Sequence, residues 1–420
     1  DDKWAGVDAT LEASIAAHVF PGCVAGVADK TGVRYLKAHG AFTYGQPAPV
    51  TGTSPKVTLA TRYDMASVTK VSATTSAVAT FYQRGELDLD MPVSDPLLLG
   101  SAYAVNGKAT ITVRNLLLHN AGYPPDPVPN YWDPEFGCPA TKEEHPPLTW
   151  DCNEQIFAAL LNQTLINPVG VKYVYSDLSM ITNQFIVGAL AMKLGYISSE
   201  DLLPSCRDAT GPGLKRTCYY EAYVRKYVFD AVNMTESGFL PPQADWGQVA
   251  PTWNDETYRH RVVQGQVSDG NSYALGGVAG HAGLIATAPD MIKLLSRIAF
   301  ATETGDGFLN ATTVKTFTTA YNLTQSSRAL GWDTNNYEMN TYRGCGNFSS
   351  LTYTHLGYTG TEVCVDPTRG VLTVLLDNRC YPVQTGGLGD PIKYARRGFN
   401  NAVLAVVDAE RAAAGGDDGA

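Results

Sequence analysis

The N-terminal part of the chain shows two successive patterns of apolar spacing. Apolar residues recur at helical spacing from Trp4 to Val19. Two β-rich runs follow, CVAGVAD and VRYLKAHG, and Lys30, Thr31 and Gly32 separate them. This pattern predicts a helix followed by a β-hairpin.

The C-terminal part has a matching pattern. The run LTYTHLGYTGTEVCVDPTRGVLTVLLDN is typical of strands, with a turn at Asp366–Gly370. A closing helix, DPIKYARRGFNNAVLAVVDAERAAA, has Pro391 at its start, where proline costs no hydrogen bond. One antiparallel sheet from the N- and C-terminal segments, covered by the terminal helices, would satisfy both patterns. We therefore predict an α+β fold.

The middle of the chain has a different period. Segments such as TVRNLLLH, NEQIFAALLN and DLSMITNQFIVGALAMKLG show helical spacing and are separated by loops rich in Pro and Gly. We predict a discontinuous sheet lobe at residues 1–75 and 271–410, with a mainly helical lobe inserted at 76–270. Residues 411–420 are predicted to be a disordered tail.

One middle segment, YPPDPVPNYWDPEFGCPATKEEHPPLTW, is too rich in proline and turn residues for regular structure. A bond between Cys138 and Cys152 could tie its base. Because the segment carries Tyr131, Trp132 and Trp150, we predict that it forms a rim of a binding site. A passive surface loop tied by a disulfide is the alternative.

Composition narrows the possible classes of function. The 420 residues are 44% hydrophobic and 17% charged, which is ordinary for a globular protein. No run approaches the ~20 consecutive apolar residues of a membrane-spanning helix. The net charge of −10 and the absence of a Lys/Arg cluster argue against a nucleic-acid partner. We expect a small-molecule or peptide substrate, and the sequence leaves the oligomeric state open.

Cysteines and glycosylation sequons indicate the compartment. The eight cysteines lack the C-x-x-C pairs of zinc or redox sites, so disulfides are expected, with Cys138–Cys152 and Cys206–Cys218 as local pairs. The chain begins without methionine, which is consistent with a processed precursor or a trimmed chain. We predict a secreted or lumenal protein, with the bacterial periplasm as the second choice. The N-x-S/T sequons lie at Asn162, Asn233, Asn310, Asn322 and Asn347.

The stretch YDMASVTKVSATTSAVATF places Ser67 and Lys70 one helical turn apart. A serine hydroxyl becomes a good nucleophile only when another group accepts its proton. A helix N-terminus at Ser67 would add N–H groups that stabilise developing negative charge. Taken alone, the spacing is matched by chance, and a helix-start serine beside a solvated lysine is the ordinary alternative.

Two further motifs change that interpretation. YVYSDLSM carries Tyr175, Ser176 and Asp177, and YTHLGYTGTEVCVDP carries His355, Leu356 and Gly357 on a predicted strand. Together with Ser67 and Lys70 they resemble the three signature motifs of the serine β-lactamase and penicillin-recognising superfamily. LLLHNAGYP, YALGGVAGHAGLIATAPD and LLDNR are similar to landmarks of its branch of class C β-lactamases, carboxylesterases, D-aminopeptidases and DD-peptidases. The resemblance covers residues 10–405 and implies the β-lactamase/transpeptidase-like fold.

The resemblance also implies roles for individual residues. Ser67 would be the acylated nucleophile, Lys70 its proton partner, and Tyr175 the general base held beside them. The oxyanion hole would be the backbone N–H groups of Ser67 and of Tyr358, which follows Gly357.

Two departures from the β-lactamase pattern concern charge. Asp177 replaces an asparagine, and its carboxylate should raise the pKa of Lys70 and make that lysine a weaker base. His355 replaces a lysine across the cleft and should be mostly neutral at pH 7, so a permanent cation would be missing. Because that lysine helps to bind substrate carboxylates in the family, we expect weak β-lactamase activity and a preference for esters or uncharged amides.

The sequence therefore predicts a serine hydrolase that acts through a Ser67 acyl-enzyme, with carboxylesterase as the first activity. A peptidase or amidase acting on D-amino-acid or muropeptide-like substrates is the second, and a catalytically idle ligand-binding homologue is the alternative of another class. His119 and His281 are expected to be structural, and Asp290 is expected at a helix start. No spacing indicates a metal or a cofactor.

Overall fold

The computed structural model describes residues 3–140, 152–383 and 390–414. The ten strands of the described residues run as follows: β1 Gly22–Asp29, β2 Gly32–Gly40, β3 Tyr63–Asp64, β4 Asn254–Asp255, β5 Arg261–Val262, β6 Ile285–Ala286, β7 Asp333–Thr334, β8 Tyr353–Leu356, β9 Glu362–Asp366 and β10 Val371–Asp377. The α-helices of the same residues are α1 Ala5–Ala16, α2 Ser76–Gln83, α3 Val113–Leu117, α4 Cys152–Asn162, α5 Asp177–Lys193, α6 Pro212–Val224, α7 Gly270–Ala274, α8 Ala288–Ala299, α9 Ala311–Thr318 and α10 Asp390–Ala413.

Six strands form one antiparallel sheet in the order β2-β1-β10-β9-β8-β7. The sheet therefore joins the two ends of the chain, as predicted from their matching patterns. The predicted β1–β2 hairpin, the turn between β9 and β10 and the closing helix are confirmed. The closing helix α10 continues to Ala413, so residues 411–413, predicted as disordered, are helical. Residues 415–420 of that predicted tail lie outside the described residues.

The central strands β1 and β10 are buried on both faces, which explains their nearly continuous apolar runs. On β1, Val24 and Ala28 point toward the large core that contains α2, α5, α6 and α8. Cys23, Ala25 and Val27 alternate with them and face a second core under α1 and α10. The first core is continuous from the sheet into the middle helices, and the lobe boundaries at 75/76 and 270/271 stay a prediction.

Helix α8 shows why a carboxylate suits a helix start. Thr287 caps the helix, its hydroxyl accepting from the N–H of Asp290. The buried Asp290 carboxylate lies in the first turn and accepts from the N–H of Glu236 at 2.8 Å. The predicted position of Asp290 is confirmed.

The cysteine prediction is correct in part. Cys138–Cys152 and Cys206–Cys218 are bonded, and a third disulfide joins Cys345 to Cys364. The last two cysteines are free thiols, and the sequence predicts no partner for either of them. They have different surroundings: Cys23 lies in the core under the terminal helices, and Cys380 donates to the carbonyl of Tyr358 at 3.4 Å.

The proline-rich segment does not present its aromatic residues as predicted. Tyr131 is buried, and its backbone N–H donates to the side chain of Asn271 on α7 at 2.8 Å. Trp132 packs against Gly270 of the same helix. The backbone of Tyr131 and the ring of Trp132 therefore support α7, whereas Asp126 of the segment comes near the carboxylates of Asp177 and Asp269. Trp150 lies outside the described residues. None of the helices that the structure describes combines the length and apolar character needed to cross a membrane.

Candidate active site

Ser67 lies in a tight turn between the short strand β3 and the helical segment that leads into α2. A 3₁₀ turn covers Ala66–Val68, a π-helical turn covers Lys70–Thr75, and the α-helix begins at Ser76. Ala66 has φ of 45°, a left-handed conformation that is strained for a residue with a Cβ. The carboxylate of Asp64 holds it there by accepting from the N–H of Ala66 at 2.8 Å. The turn thus presents Ser67 at the start of a helix, as predicted.

Lys70 lies directly behind Ser67 and is completely buried. Its Nζ donates to Ser67 Oγ at 2.9 Å and to the carbonyl of His281 at 3.1 Å, and it pairs with Asp177 Oδ1 at 2.7 Å. Burial opposes the charge, but Asp177 and Tyr175 more than offset it, so the pKa of Lys70 lies above its ordinary value. The predicted effect of Asp177 on Lys70 is confirmed.

Tyr175 stands just before α5 and closes one side of the site. Its ring centroid lies 4.9 Å from Lys70 Nζ and 4.7 Å from the ring of His119. His119 is buried, and its Nδ1 accepts from the N–H of Ser176 at 3.1 Å. Burial, with the nearby cations Arg328 and Lys70, holds the pKa of His119 well below its ordinary value, so this ring is neutral. His119 therefore packs against Tyr175, a contact that the sequence motif did not reveal.

The buried His281 pairs with the half-buried Asp269 next to Lys70. His281 Nε2 lies 2.8 Å from Asp269 Oδ1. Burial alone would favour the neutral form of both groups, but the attraction between their opposite charges outweighs it. The pKa of Asp269 therefore falls to about 2, and the pKa of His281 rises. His281 was predicted to be structural, and its carbonyl also supports Lys70.

Two groups of metal-ligating side chains occur among the described residues, one in the site and one at the sheet, away from the cleft, but neither arrangement favours an ion. Asp177, Asp269 and His281 offer ligand atoms within 4.8 Å of one another, yet Asp177 already pairs with the ammonium of Lys70. Cys345, Glu362 and Cys364 are also close together, but the two cysteines are joined in a disulfide.

The opposite wall of the site comes from the end of β8. His355 is buried, and its Nδ1 lies 3.0 Å from the carbonyl of Leu356. Burial and the cations Arg328 and Lys70 hold its pKa well below the ordinary value, so the expected neutral state of His355 is supported. Gly357 follows, where a Cβ would lie 2.0 Å from the side chain of Thr361, so only glycine fits.

A cleft of about 370 Å³ opens in front of Ser67. Lys70 and Asp177 do not line it, because they lie behind the nucleophile. The lining residues are Ser67, Tyr173, Tyr175, Arg328, Asp333, Asn340, Tyr342, His355, Leu356 and Tyr358. The structure therefore brings all the predicted site residues together around one serine.

Arg328 is the residue that sequence reasoning missed, and the expectation of a missing permanent cation is wrong. Its guanidinium carbon lies 5.0 Å from the ring centroid of Tyr175, and its Nε donates to Tyr173 at 3.1 Å. Burial opposes the charge, but Asp333 and the tyrosines raise the pKa of Arg328 above its ordinary value. The residue comes from the connection between α9 and β7, in the stretch SSRALGW, which has no recognisable motif. The fold alone brings it beside His355.

Comparisons with known proteins agree with this geometry. The sequence model of the Beta-lactamase family matches residues 7–392. An Escherichia coli K12 protein named "Putative D-alanyl-D-alanine carboxypeptidase" is 29% identical over 368 residues, covering 82% of this chain and 75% of the relative. A Bacillus subtilis strain 168 protein named "N-acetylmuramyl-L-alanine amidase" is 28% identical over 385 residues, covering 89% and 80%.

Solved structures give the same result for the fold. The structure of EstCE1, described as a hydrolase with promiscuous acyltransferase activity, matches with a TM-score of 0.67 at 18% identity. The match covers 96% of this chain and 99% of that one. Since the family model spans most of the chain and the fold agrees, this protein is a serine hydrolase of the Beta-lactamase family.

Proposed function

We propose that the protein hydrolyses an ester or amide in two steps through an acyl-enzyme on Ser67. The observation that carries this proposal is the contact between Lys70 Nζ and Ser67 Oγ at 2.9 Å, at the back of an open cleft. A buried ammonium held by Asp177 and aimed at a serine hydroxyl is the arrangement of an activated nucleophile.

The hydrogen bonds of the Lys70 ammonium determine which group can accept the proton of Ser67. An ammonium has three protons, and those of Lys70 face Ser67 Oγ, the His281 carbonyl and Asp177. Lys70 therefore has no lone pair to accept a proton. Tyr175 is the base in our proposal. Lys70 Nζ and the guanidinium carbon of Arg328 lie 4.9 and 5.0 Å from the centroid of its ring.

Tyr175 transfers the proton in both steps of the proposed reaction. Ser67 Oγ attacks the carbonyl carbon while its proton passes to the oxygen of Tyr175. The N–H groups of Ser67 and Tyr358 bind the oxyanion. Tyr175 next returns the proton to the departing alcohol or amine as the acyl-enzyme forms. In the second step a water molecule gives one proton to Tyr175 and attacks the acyl carbon. The bond between the acyl carbon and Ser67 Oγ then breaks, Tyr175 passes the proton to Ser67 Oγ, and the acid is released.

Intact-mass spectrometry after brief exposure to p-nitrophenyl acetate tests this proposal. Wild type is expected to gain one acetyl group, and Ser67→Ala is expected to gain none. Ser72→Ala is the matched control, because it removes from the same helical segment a buried hydroxyl that has no hydrogen-bond partner in the described part of the chain. If wild type gave no adduct or product that depends on Ser67, the catalytic proposal would be wrong and an idle ligand-binding homologue would take its place.

Ester hydrolysis is the first activity that we propose, but Arg328 favours a second candidate. The preference for uncharged esters was argued from a missing cation, and Arg328 removes that argument. A guanidinium at the cleft suits a carboxylate-bearing amide substrate, such as a peptide with a free C-terminus. Two relatives named for carboxypeptidase and amidase activity support this second candidate.

Product analysis separates the two candidates. Purified protein is incubated in parallel with p-nitrophenyl esters, with an acyl-D-alanyl-D-alanine peptide and with muropeptides. Activity on esters alone would remove the peptidase and amidase candidate. Peptide turnover at a higher kcat/KM than ester turnover would place it first.

We also propose that the protein is secreted or lumenal. Three disulfides are typical of extracellular and periplasmic proteins. Four of the five sequon asparagines are exposed: Asn162, Asn233, Asn322 and Asn347. A mass decrease on treatment of the native protein with a peptide N-glycosidase would support passage through a eukaryotic secretory route.

A further inference from the structure

The loop at residues 357–361 joins β8 to β9 and carries Tyr358, whose N–H belongs to the proposed oxyanion hole. The inference below rests on that proposed function and concerns what sets the direction of this N–H. A displaced oxyanion donor loses most of its value, because it must point at the place where charge develops. The supports of the loop are therefore relevant to the rate of the reaction.

Two threonine hydroxyls tie the loop to the segment that precedes the nucleophile. Thr359 Oγ1 donates to the carbonyl of Asp64 at 2.7 Å, and Thr361 Oγ1 donates to the carbonyl of Met65 at 3.0 Å. Both side chains are buried. These contacts fix the distance between the two N–H groups of the proposed oxyanion hole, because only Ala66 separates this segment from Ser67.

Arg396 of α10 holds the loop from the side away from the cleft. This completely buried guanidinium donates through Nη2 to the carbonyls of Gly357, Gly360 and Thr361 at 2.8, 2.8 and 3.0 Å. Its Nε also donates to the carbonyl of Gly360 at 3.1 Å, and Nη1 donates to the hydroxyl of Tyr342 at 3.0 Å. A single side chain thus binds three carbonyls of a five-residue loop.

The contact with Gly357 acts on the oxyanion donor itself. The carbonyl of Gly357 and the N–H of Tyr358 belong to one peptide unit, and this unit is trans. In a trans peptide the C=O and the N–H point in opposite directions. A guanidinium that pulls the carbonyl toward α10 therefore turns the N–H toward the cleft. The positive charge on the carbonyl side also polarises the peptide and strengthens the N–H as a donor.

We propose that Arg396, together with Thr361, is a positioning residue for the oxyanion hole. Arg396 fixes the plane of the Gly357–Tyr358 peptide, and Thr361 fixes the distance of that peptide from Ser67. Neither side chain lines the cleft. Both hold the loop that carries the N–H of Tyr358, and Arg396 also holds the hydroxyl of Tyr342, which lines the cleft.

The next residue on α10 provides a matched control. Arg397 also donates to backbone carbonyls, those of Thr341, Tyr342 and Arg343, but these lie on a different loop. Replacing either arginine by lysine keeps the charge and removes the fork of donors. A loss of activity that follows from general destabilisation should appear in both variants, whereas a role in the oxyanion hole should appear in Arg396→Lys alone.

The experiment measures acylation by p-nitrophenyl acetate, and inhibition by phenylboronic acid, which forms a tetrahedral adduct on a serine. For Arg396→Lys we expect kcat to fall about 100-fold with KM unchanged, and the boronate to bind correspondingly more weakly. Arg397→Lys should stay within about 3-fold of wild type in both measurements. Equal kcat values in the two variants, or a change in KM alone, would overturn the proposal.

A second pair of variants keeps the test informative if Arg396→Lys does not fold. Thr361→Val keeps the shape and removes the hydroxyl, and it should lower kcat about 10-fold without changing KM. Thr361→Ser keeps the hydroxyl and should restore activity. Full activity of Thr361→Val would overturn the proposal while Ser67-dependent acylation in wild type left the proposed function intact. Loss of Ser67-dependent acylation in wild type itself would overturn both.

Discussion

The two sides of Ser67 differ in how completely their charged and polar groups are paired. Behind the serine, Lys70 has an acceptor for each proton and His281 Nε2 is paired with Asp269, whereas His281 Nδ1 and His119 Nε2 have no hydrogen-bond partner among the described residues. In front of it, Arg328 Nη2 lies 3.7 Å from Asp333 Oδ2, but Arg328 Nη1 and His355 Nε2 are buried and have no hydrogen-bond partner among the described residues.

Unpaired buried polar atoms are costly, so they are expected where a ligand completes them. The side behind Ser67 is a fixed arrangement that supports one proton transfer. The side in front has polar atoms without partners in the described part of the chain, and a bound substrate can form the hydrogen bonds that they lack. Substitutions on the first side should therefore change the reaction of every substrate, and substitutions on the second should discriminate between substrates.

Asp177→Asn should have the largest effect, because it breaks the charge balance behind Ser67. Asparagine keeps the shape but leaves the buried ammonium of Lys70 without its carboxylate, so burial then lowers the pKa of Lys70. We expect kcat/KM to fall about 100-fold for esters and amides alike. The alkaline limb of the kcat profile should move to lower pH, because Lys70 loses its charge earlier.

The control for this change is Asp126→Asn, which makes the same replacement in an exposed carboxylate of the same neighbourhood. Its kcat/KM should stay within about 3-fold of wild type. An Asp177→Asn enzyme with the wild-type alkaline limb would show that the carboxylate does not hold the charge of Lys70. The side behind Ser67 would then not be the fixed arrangement described above.

The same contrast explains what the sequence could predict. The sheet was predictable because β1 and β10 are nearly continuous apolar runs and clear turns join β1 to β2 and β9 to β10. Ser67, Lys70, Asp177 and His355 were predictable because they belong to motifs with fixed local spacing, and the structure places them together. Their catalytic roles stay proposals.

Arg328, Arg396 and the third disulfide were not predictable by the same reasoning. Arg328 and Arg396 lie in a loop and on a helix with no local motif, and only the fold brings them to the cleft and to the oxyanion loop. Cys345 and Cys364 belong to different local patterns, and the pairing of eight cysteines is not determined by spacing. Local sequence patterns therefore identified the candidate reacting residues. The residues proposed to bind substrate and to position the oxyanion loop became apparent only in the tertiary structure.

Arg328→Gln should have the next largest effect, and a selective one. We expect KM for a carboxylate-bearing peptide or ester to rise about 10- to 100-fold, since a charge-assisted hydrogen bond contributes ~1.5–3 kcal/mol. KM for p-nitrophenyl acetate should be unchanged, because that ester has no anion for Arg328 to bind. Initial-rate kinetics with a matched pair of charged and uncharged substrates measures the difference.

The control for Arg328→Gln is Arg328→Lys, which keeps the charge and should recover part of the discrimination. A fall in kcat of equal size for charged and uncharged substrates would contradict the assignment. Arg328 would in that case act on Tyr175, 5.0 Å from its guanidinium carbon, rather than on substrate.

Glu362→Gln should have the smallest effect, on stability rather than on activity, and it extends the comparison to the buried side of the oxyanion loop. Burial raises the pKa of Glu362 to about 7, against the opposing effects of Arg396 and Asn400. The folded protein therefore keeps a proton that the unfolded chain releases near pH 4, and the free energy of unfolding should fall as pH rises from about 4 to 7, by at most ~1.4 kcal/mol per pH unit for this group.

Glutamine keeps an oxygen for the amide of Asn400, which donates to Glu362 Oε2 at 2.8 Å, and it cannot ionise. At pH 5 the variant should melt like wild type, and at pH 8 it should melt about 2 °C higher. Thermal melts of Glu362→Gln and of the exposed control Glu303→Gln at both pH values measure this difference. If Glu362→Gln melted lower than wild type at pH 8, ionised Glu362 would be stabilising Arg396, and the groups beneath the oxyanion loop would be as fully paired as those behind Ser67.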